Sequence, residues 1–85
     1  MFKIAFADEA FDQYQTIKGK LRKQVDKALE RISKEPFLSK PLRANLSGIY
    51  SERVSTFRIL FEVDRSKKEV AILAIEHRRS AYGGH

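Results

Sequence analysis

The sequence predicts an α+β domain of order β-α-α-β-β-β, with an N-terminal helical hairpin packed on one face of a small antiparallel meander. Three observations carry that prediction. The opening FKIAF alternates, the stretch from Lys20 to Lys34 repeats its apolar residues at helical spacing, and from Leu46 onward the period changes to two. Helices and strands grouped in separate runs favour α+β over an alternating α/β chain. At 85 residues the chain reads as a single domain spanning 1–85, a size that buries only about 60 to 65% of the surface its unfolded form exposes.

Phe2, Ile4 and Phe6 share one face of the first strand. Asp8 fits the N-cap of the helix that follows, and Glu9 beside it sets negative charge at the positive end of the helix dipole. Ala10, Tyr14, Ile17 and Leu21 fall on one helical face, and Gly19 is the expected break between two helices. In the second helix Leu21, Val25, Ala28, Leu29 and Ile32 form an apolar stripe. Lys20, Arg22, Lys23, Lys27, Arg31 and Lys34 lie mostly off it, as a solvated face would have them. Pro36 stops that helix, and EPFLSKPLRAN reads as a loop. Strands follow at about Leu46 to Val54, Phe57 to Asp64 and Glu69 to Glu76, with turns at Ser55-Thr56 and around Ser66-Lys67.

Composition narrows the chemistry. The chain has no cysteine, which excludes a disulfide framework and a zinc ribbon. Its two histidines, one of them the last residue, make a His-based metal site improbable. No apolar run approaches the roughly 20 residues of a membrane helix, and no signal peptide opens the chain, so a cytoplasmic protein without a membrane partner is expected. A formal net charge of +6 favours a polyanionic partner, either nucleic acid or an acidic protein.

The expected register sorts the charges. A turn through Ser55 and Thr56 sets Val54 opposite Phe57 and Arg53 opposite Arg58. A turn centred on Ser66-Lys67 then sets Arg58 across from Ile75, with His77 one diagonal step away on the same face. Val54, Phe57, Ile59, Phe61, Val63, Val70, Ile72 and Ala74 would face the helices; Arg53, Arg58 and His77 would face away. Like charges directly opposite are unfavourable, yet Arg58 interrupts an otherwise apolar strand, and Arg78, Arg79 and Tyr82 follow at the same end of the sheet.

Arginines beside an imidazole and a phenol suit the transesterification of RNA, in which a 2′-hydroxyl attacks the adjacent phosphate. Guanidinium forks, planar and always protonated, stabilise the charge that builds on the phosphorane. His77 or Tyr82 would move the protons. Such chemistry requires no metal and no cofactor, and its dependence on the 2′-hydroxyl makes it specific to RNA.

The segment NLSGIYSERVSTFRILFEVDRSKKEVAILAIEHRRSAY, Asn45 to Tyr82, resembles the RelE/ParE superfamily of toxins from type II toxin–antitoxin systems. The likeness rests on Leu46 and Gly48, on Arg53 before the tight turn, on the strand Phe57 to Phe61, and on Ile75 to Tyr82. It implies a ribosome-dependent endoribonuclease of the RelE kind, with mRNA and the ribosome as partners and an acidic antitoxin as inhibitor. By that resemblance Arg58 and Arg78 stabilise the scissile phosphate, Tyr82 acts as base or stacks, and Arg53 takes a basic position before the hairpin. Ser51 and Arg53 stand where the RelE pattern has two lysines, and Lys40 stands where the related YoeB pattern has its glutamate base. The base is thus left between His77 and Tyr82, and Arg79 is expected to be a phosphate contact or a solvated charge. The alternatives are a ParE-like inhibitor of DNA gyrase without nuclease activity and a basic RNA-binding domain without catalysis.

Overall fold

Alternation and helical periodicity become strands and helices in the computed structural model, which describes residues 1–38, 40–41 and 48–77. The elements are β1 (Lys3–Phe6), α1 (Asp8–Thr16), α2 (Gly19–Lys34), a 3-10 turn at Pro36–Leu38, then β2 (Lys40–Pro41), β3 (Ile49–Val54), β4 (Phe57–Asp64) and β5 (Glu69–His77). The sheet runs β1-β5-β4-β3-β2. The expected meander of β3, β4 and β5 is antiparallel, and β1 adds to it in parallel beside β5, with Ile4 against Val70 and Phe6 against Ile72. The proline loop supplies a further short strand, β2, on the other edge. No helix among the described residues is long and apolar enough to cross a membrane.

Asp8 is the first residue of α1 rather than its cap; the cap is Ala7, whose side chain accepts nothing. Asp8 and Glu9 still place acid in the first turn, where the helix dipole favours it. At the start of α2 Gly19 takes φ +67, a left-handed conformation that a side chain would strain. Tyr14 ties the two helices together by donating its hydroxyl to Asp26 Oδ1 at 2.5 Å. The Arg22 guanidinium lies 3.8 Å from the Tyr14 ring centroid and donates to the Ile17 carbonyl at 3.1 Å. Burial, followed by the Asp26 carboxylate, holds the Tyr14 phenol above its ordinary pKa, so the ring stays neutral and keeps donating.

Both helices pack on one face of the sheet. Val25, Ala28, Leu29 and Ile32 from α2, with Ala10 and Ile17, close over Val54, Ile59, Phe61, Val70, Ile72 and Ile75. Each large side chain removed from water contributes about 1.5–3 kcal/mol. Phe37 in the 3-10 turn packs edge-on against both Phe2 and Tyr50, and Tyr50 stacks on Phe61 at 5.7 Å, which seals the β3 side of the core.

The β3–β4 register is the expected one, with Val54 opposite Phe57 and Arg53 opposite Arg58. The β4–β5 register is not. It shifts by one between Leu60 and Phe61: Phe61 pairs with Ile72 but Leu60 pairs with Ala74, leaving Leu73 as the extra residue of a bulge. Beyond it the pleat changes phase. Ile75, expected opposite Arg58, lies opposite Ile59 and is buried in the core; Ala74, expected inside, lies opposite Leu60 on the other face. Arg58 lies opposite Glu76, and His77 lies opposite Phe57.

The β4–β5 turn is closed by Asp64, whose carboxylate accepts from Ser66 Oγ at 2.7 Å and from the Lys67 N–H at 3.1 Å. The Ser66 hydroxyl, then the Lys67 amide, holds this carboxyl below its ordinary value. A lowered folded pKa gives a stabilising contribution that is present above the unfolded value of about 4 and lost as pH falls through the folded one. Asp64→Ala should therefore lower the urea midpoint at pH 7, and the gap from wild type should narrow at pH 3. A gap of equal size at both pH values would show that the charge of Asp64 plays no part.

Candidate active site on the open face

The β3–β4 hairpin presents the arginines. Its two-residue turn, Ser55-Thr56, takes φ 55 at Ser55, matching the positive φ that hairpin turns need at their first central position. A turn this short leaves no slack in the register, so Arg53 and Arg58 stand opposite each other on the face that the helices leave uncovered. Arg53 is exposed and Arg58 half-buried. On the far side of Arg58 stands Glu76, also half-buried. The three residues form a row across β3, β4 and β5, with neighbouring strands about 4.8 Å apart.

His77 does not join this row. The bulge turns it to the helix face, where its ring meets that of Phe57 edge-on at 5.4 Å. Arg78, Arg79 and Tyr82 lie outside the described residues. The structure therefore brings together Arg53 and Arg58 of the expected set, separates His77 from them, and adds Glu76. The sequence carries no sign of the place Glu76 takes. The run Val70 to Ile75 is apolar throughout, and such a run carries no alternation to set the phase of the residues after it.

Charge on the open face is segregated. Glu62, Asp64 and Glu69 gather at the end of β4 and β5 far from the hairpin, lining an open groove of about 550 Å³ with Gly48, Val63, Arg65 and Ala71. The two arginines occupy the other end. Among the described residues no group of three or more His, Cys, Asp or Glu is set to hold a metal ion.

A second basic surface runs along α2, where Lys20, Lys23 and Lys27 are exposed. Arg31 pairs with Glu52 of β3, Lys34 with Glu30, and Arg22 with Asp26. Among the described residues no carboxylate pairs with Lys20, Lys23 or Lys27. The first turn of α2 contains no acid, so Lys20 sits at the end of the helix whose dipole opposes it, with Lys23 in the next turn and Lys27 at mid-helix.

Comparison with known proteins agrees with the fold. Residues 3–82 match the family model of the ParE toxin of the type II toxin–antitoxin system parDE. Toxin RelG of Mycobacterium tuberculosis is 39% identical over 59 residues, which cover 68% of each chain. The toxin–antitoxin complex RelBE2 from the same organism holds a chain of 30% identity and TM-score 0.77, with 91% of this chain and 98% of that one covered. The isolated RelE toxin of E. coli shares the fold at TM-score 0.80 and 20% identity, over 91% of this chain and 84% of that one.

Proposed function

The chain belongs to the ParE toxin family of type II toxin–antitoxin systems, with RelE-like toxins as its relatives, and on that premise we propose that it is a ribosome-dependent endoribonuclease acting on mRNA. The observation that carries this reading is the pair of arginines held opposite each other on the uncovered face, next to a carboxylate. Arg58 and Arg78 stabilise the phosphorane, Arg53 and Arg79 hold the flanking backbone, and Tyr82 stacks on a base or moves a proton. His77, turned toward Phe57, is left out of the chemistry. The inhibitor is an acidic antitoxin, in keeping with relatives whose structures are toxin–antitoxin complexes.

The lysines of α2 fit the same reading as contacts to the phosphates of ribosomal RNA. Lysine acts there as a point charge, and each contact contributes to the salt dependence of binding. Replacing Lys20, Lys23 and Lys27 together by glutamine should weaken ribosome binding and reduce the slope of log K against log salt by roughly 0.7–0.9 per lost contact. Binding measured over a salt series checks this; an unchanged slope would remove α2 from the interface.

The family match itself favours a second reading, a ParE-like inhibitor of DNA gyrase. Mapping mRNA ends in a purified translation system separates the two. Codon-phased cuts made by the wild type support the nuclease. Intact mRNA together with impaired supercoiling by gyrase would establish the alternative.

A further inference from the structure

We propose that Glu76 is the general base that removes the 2′-hydroxyl proton, an inference that rests on the nuclease reading above. The bulge at Leu73 creates its position. With a regular ladder Ile75 would stand opposite Arg58 and Glu76 would point under the helices; with the extra residue Glu76 stands opposite Arg58 on the open face. Bulges re-aim side chains in this way and are over-represented beside active sites.

The fold holds the shifted phase in place. Ile75 is 1% exposed within the core. Its backbone N–H, just past the bulge, donates at 2.7 Å to Gln13 Oε1 of α1, so a helix side chain satisfies an amide that would be costly to bury unpaired. Returning to the regular register would expose Ile75 and bury the Glu76 carboxylate.

Among the described residues the other candidates for the base are badly placed. Arg53 and Arg58 remain protonated and cannot accept. Glu62 is four residues along β4 from Arg58, about 13 Å at the strand rise. Glu52 stands on the helix face, paired with Arg31. Glu76 is the carboxylate one strand away from the guanidinium that grips the phosphate. In the step, the carboxylate takes the proton from the 2′-oxygen, the bond from that oxygen to phosphorus forms, and the bond from phosphorus to the 5′-oxygen breaks. The departing oxygen takes a proton from water, and Glu76 returns its own to water. The products are a 2′,3′-cyclic phosphate and a 5′-hydroxyl.

The test is single-turnover cleavage of ribosome-bound mRNA by wild type, Glu76→Gln and Glu76→Asp across a pH series, with thermal melts to confirm that all three fold alike. Glu76→Gln should lower the rate by about 10²–10⁴-fold and lose the acid limb of the pH profile. Because it removes a negative charge from a face that binds RNA, it should bind ribosomes no more weakly than wild type, and Glu76→Asp should recover part of the rate. Cleavage by Glu76→Gln at the wild-type rate, or slowed cleavage with the acid limb intact, overturns the assignment and leaves the nuclease reading standing. Failure of the wild type to cut mRNA overturns both.

Discussion

Arg58→Ala is expected to slow mRNA cleavage by about 10²–10³-fold, the usual loss when one preorganised donor to a developing oxyanion is removed. The reason is charge and shape together. The Arg58 guanidinium offers parallel N–H donors to the phosphorane oxygens and stays protonated throughout the reaction. Arg58→Lys keeps the charge without the fork and should recover only part of the rate. Arg58 stands half-buried off the core face, between the like charge of Arg53 and the opposite charge of Glu76, so its loss should cost far less stability than the loss of a buried core side chain. Cleavage rates and urea midpoints measured on the same preparations check both halves. A large loss of stability accompanying the loss of cleavage would mean that Arg58 serves the fold instead.

The largest effect on folding is expected at Phe61. It is 0% exposed, occupies the central strand β4, and stacks on Tyr50 at 5.7 Å. Truncating such a buried aromatic to alanine costs about 3–5 kcal/mol. A domain of this length has total stability of roughly 4–13 kcal/mol at 0.05–0.15 kcal/mol per residue, so Phe61→Ala removes much of what there is. Urea unfolding followed by circular dichroism should show a midpoint displaced far downward, or no cooperative transition. Phe11→Ala is the control: Phe11 is 46% exposed, and its loss should displace the midpoint much less. Equal shifts for the two variants would contradict the placement of the core.

Where the residues alternate, the structure follows the sequence closely. β4 spans Phe57–Asp64 as expected because Phe57, Ile59, Phe61 and Val63 mark one face, and the charged or polar residues at either end mark its limits. The Arg53–Arg58 pairing was equally legible, since a two-residue turn leaves one register. β5 was legible as a strand but not in phase. Its residues from Val70 to Ile75 are apolar on both faces, so the extra residue at Leu73 left no mark in the pattern, and the positions of Glu76 and His77 depended on it. The parallel pairing of β1 with β5 is a long-range choice: FKIAF states which face of the strand is apolar and nothing about its neighbour. β2 was hidden by Pro41, which removes a backbone donor and reads as a loop residue.

The central claim is that the open face, through Arg58, grips the scissile phosphate of mRNA. A structure of the protein on a ribosome carrying mRNA blocked by 2′-O-methylation tests it most directly. The account predicts the β3–β4 hairpin turned toward the mRNA, with Arg58 nitrogens about 2.7–2.9 Å from non-bridging phosphate oxygens, the range of a charge-assisted hydrogen bond. Arg58 facing solvent, with the helices turned toward the mRNA, would contradict it.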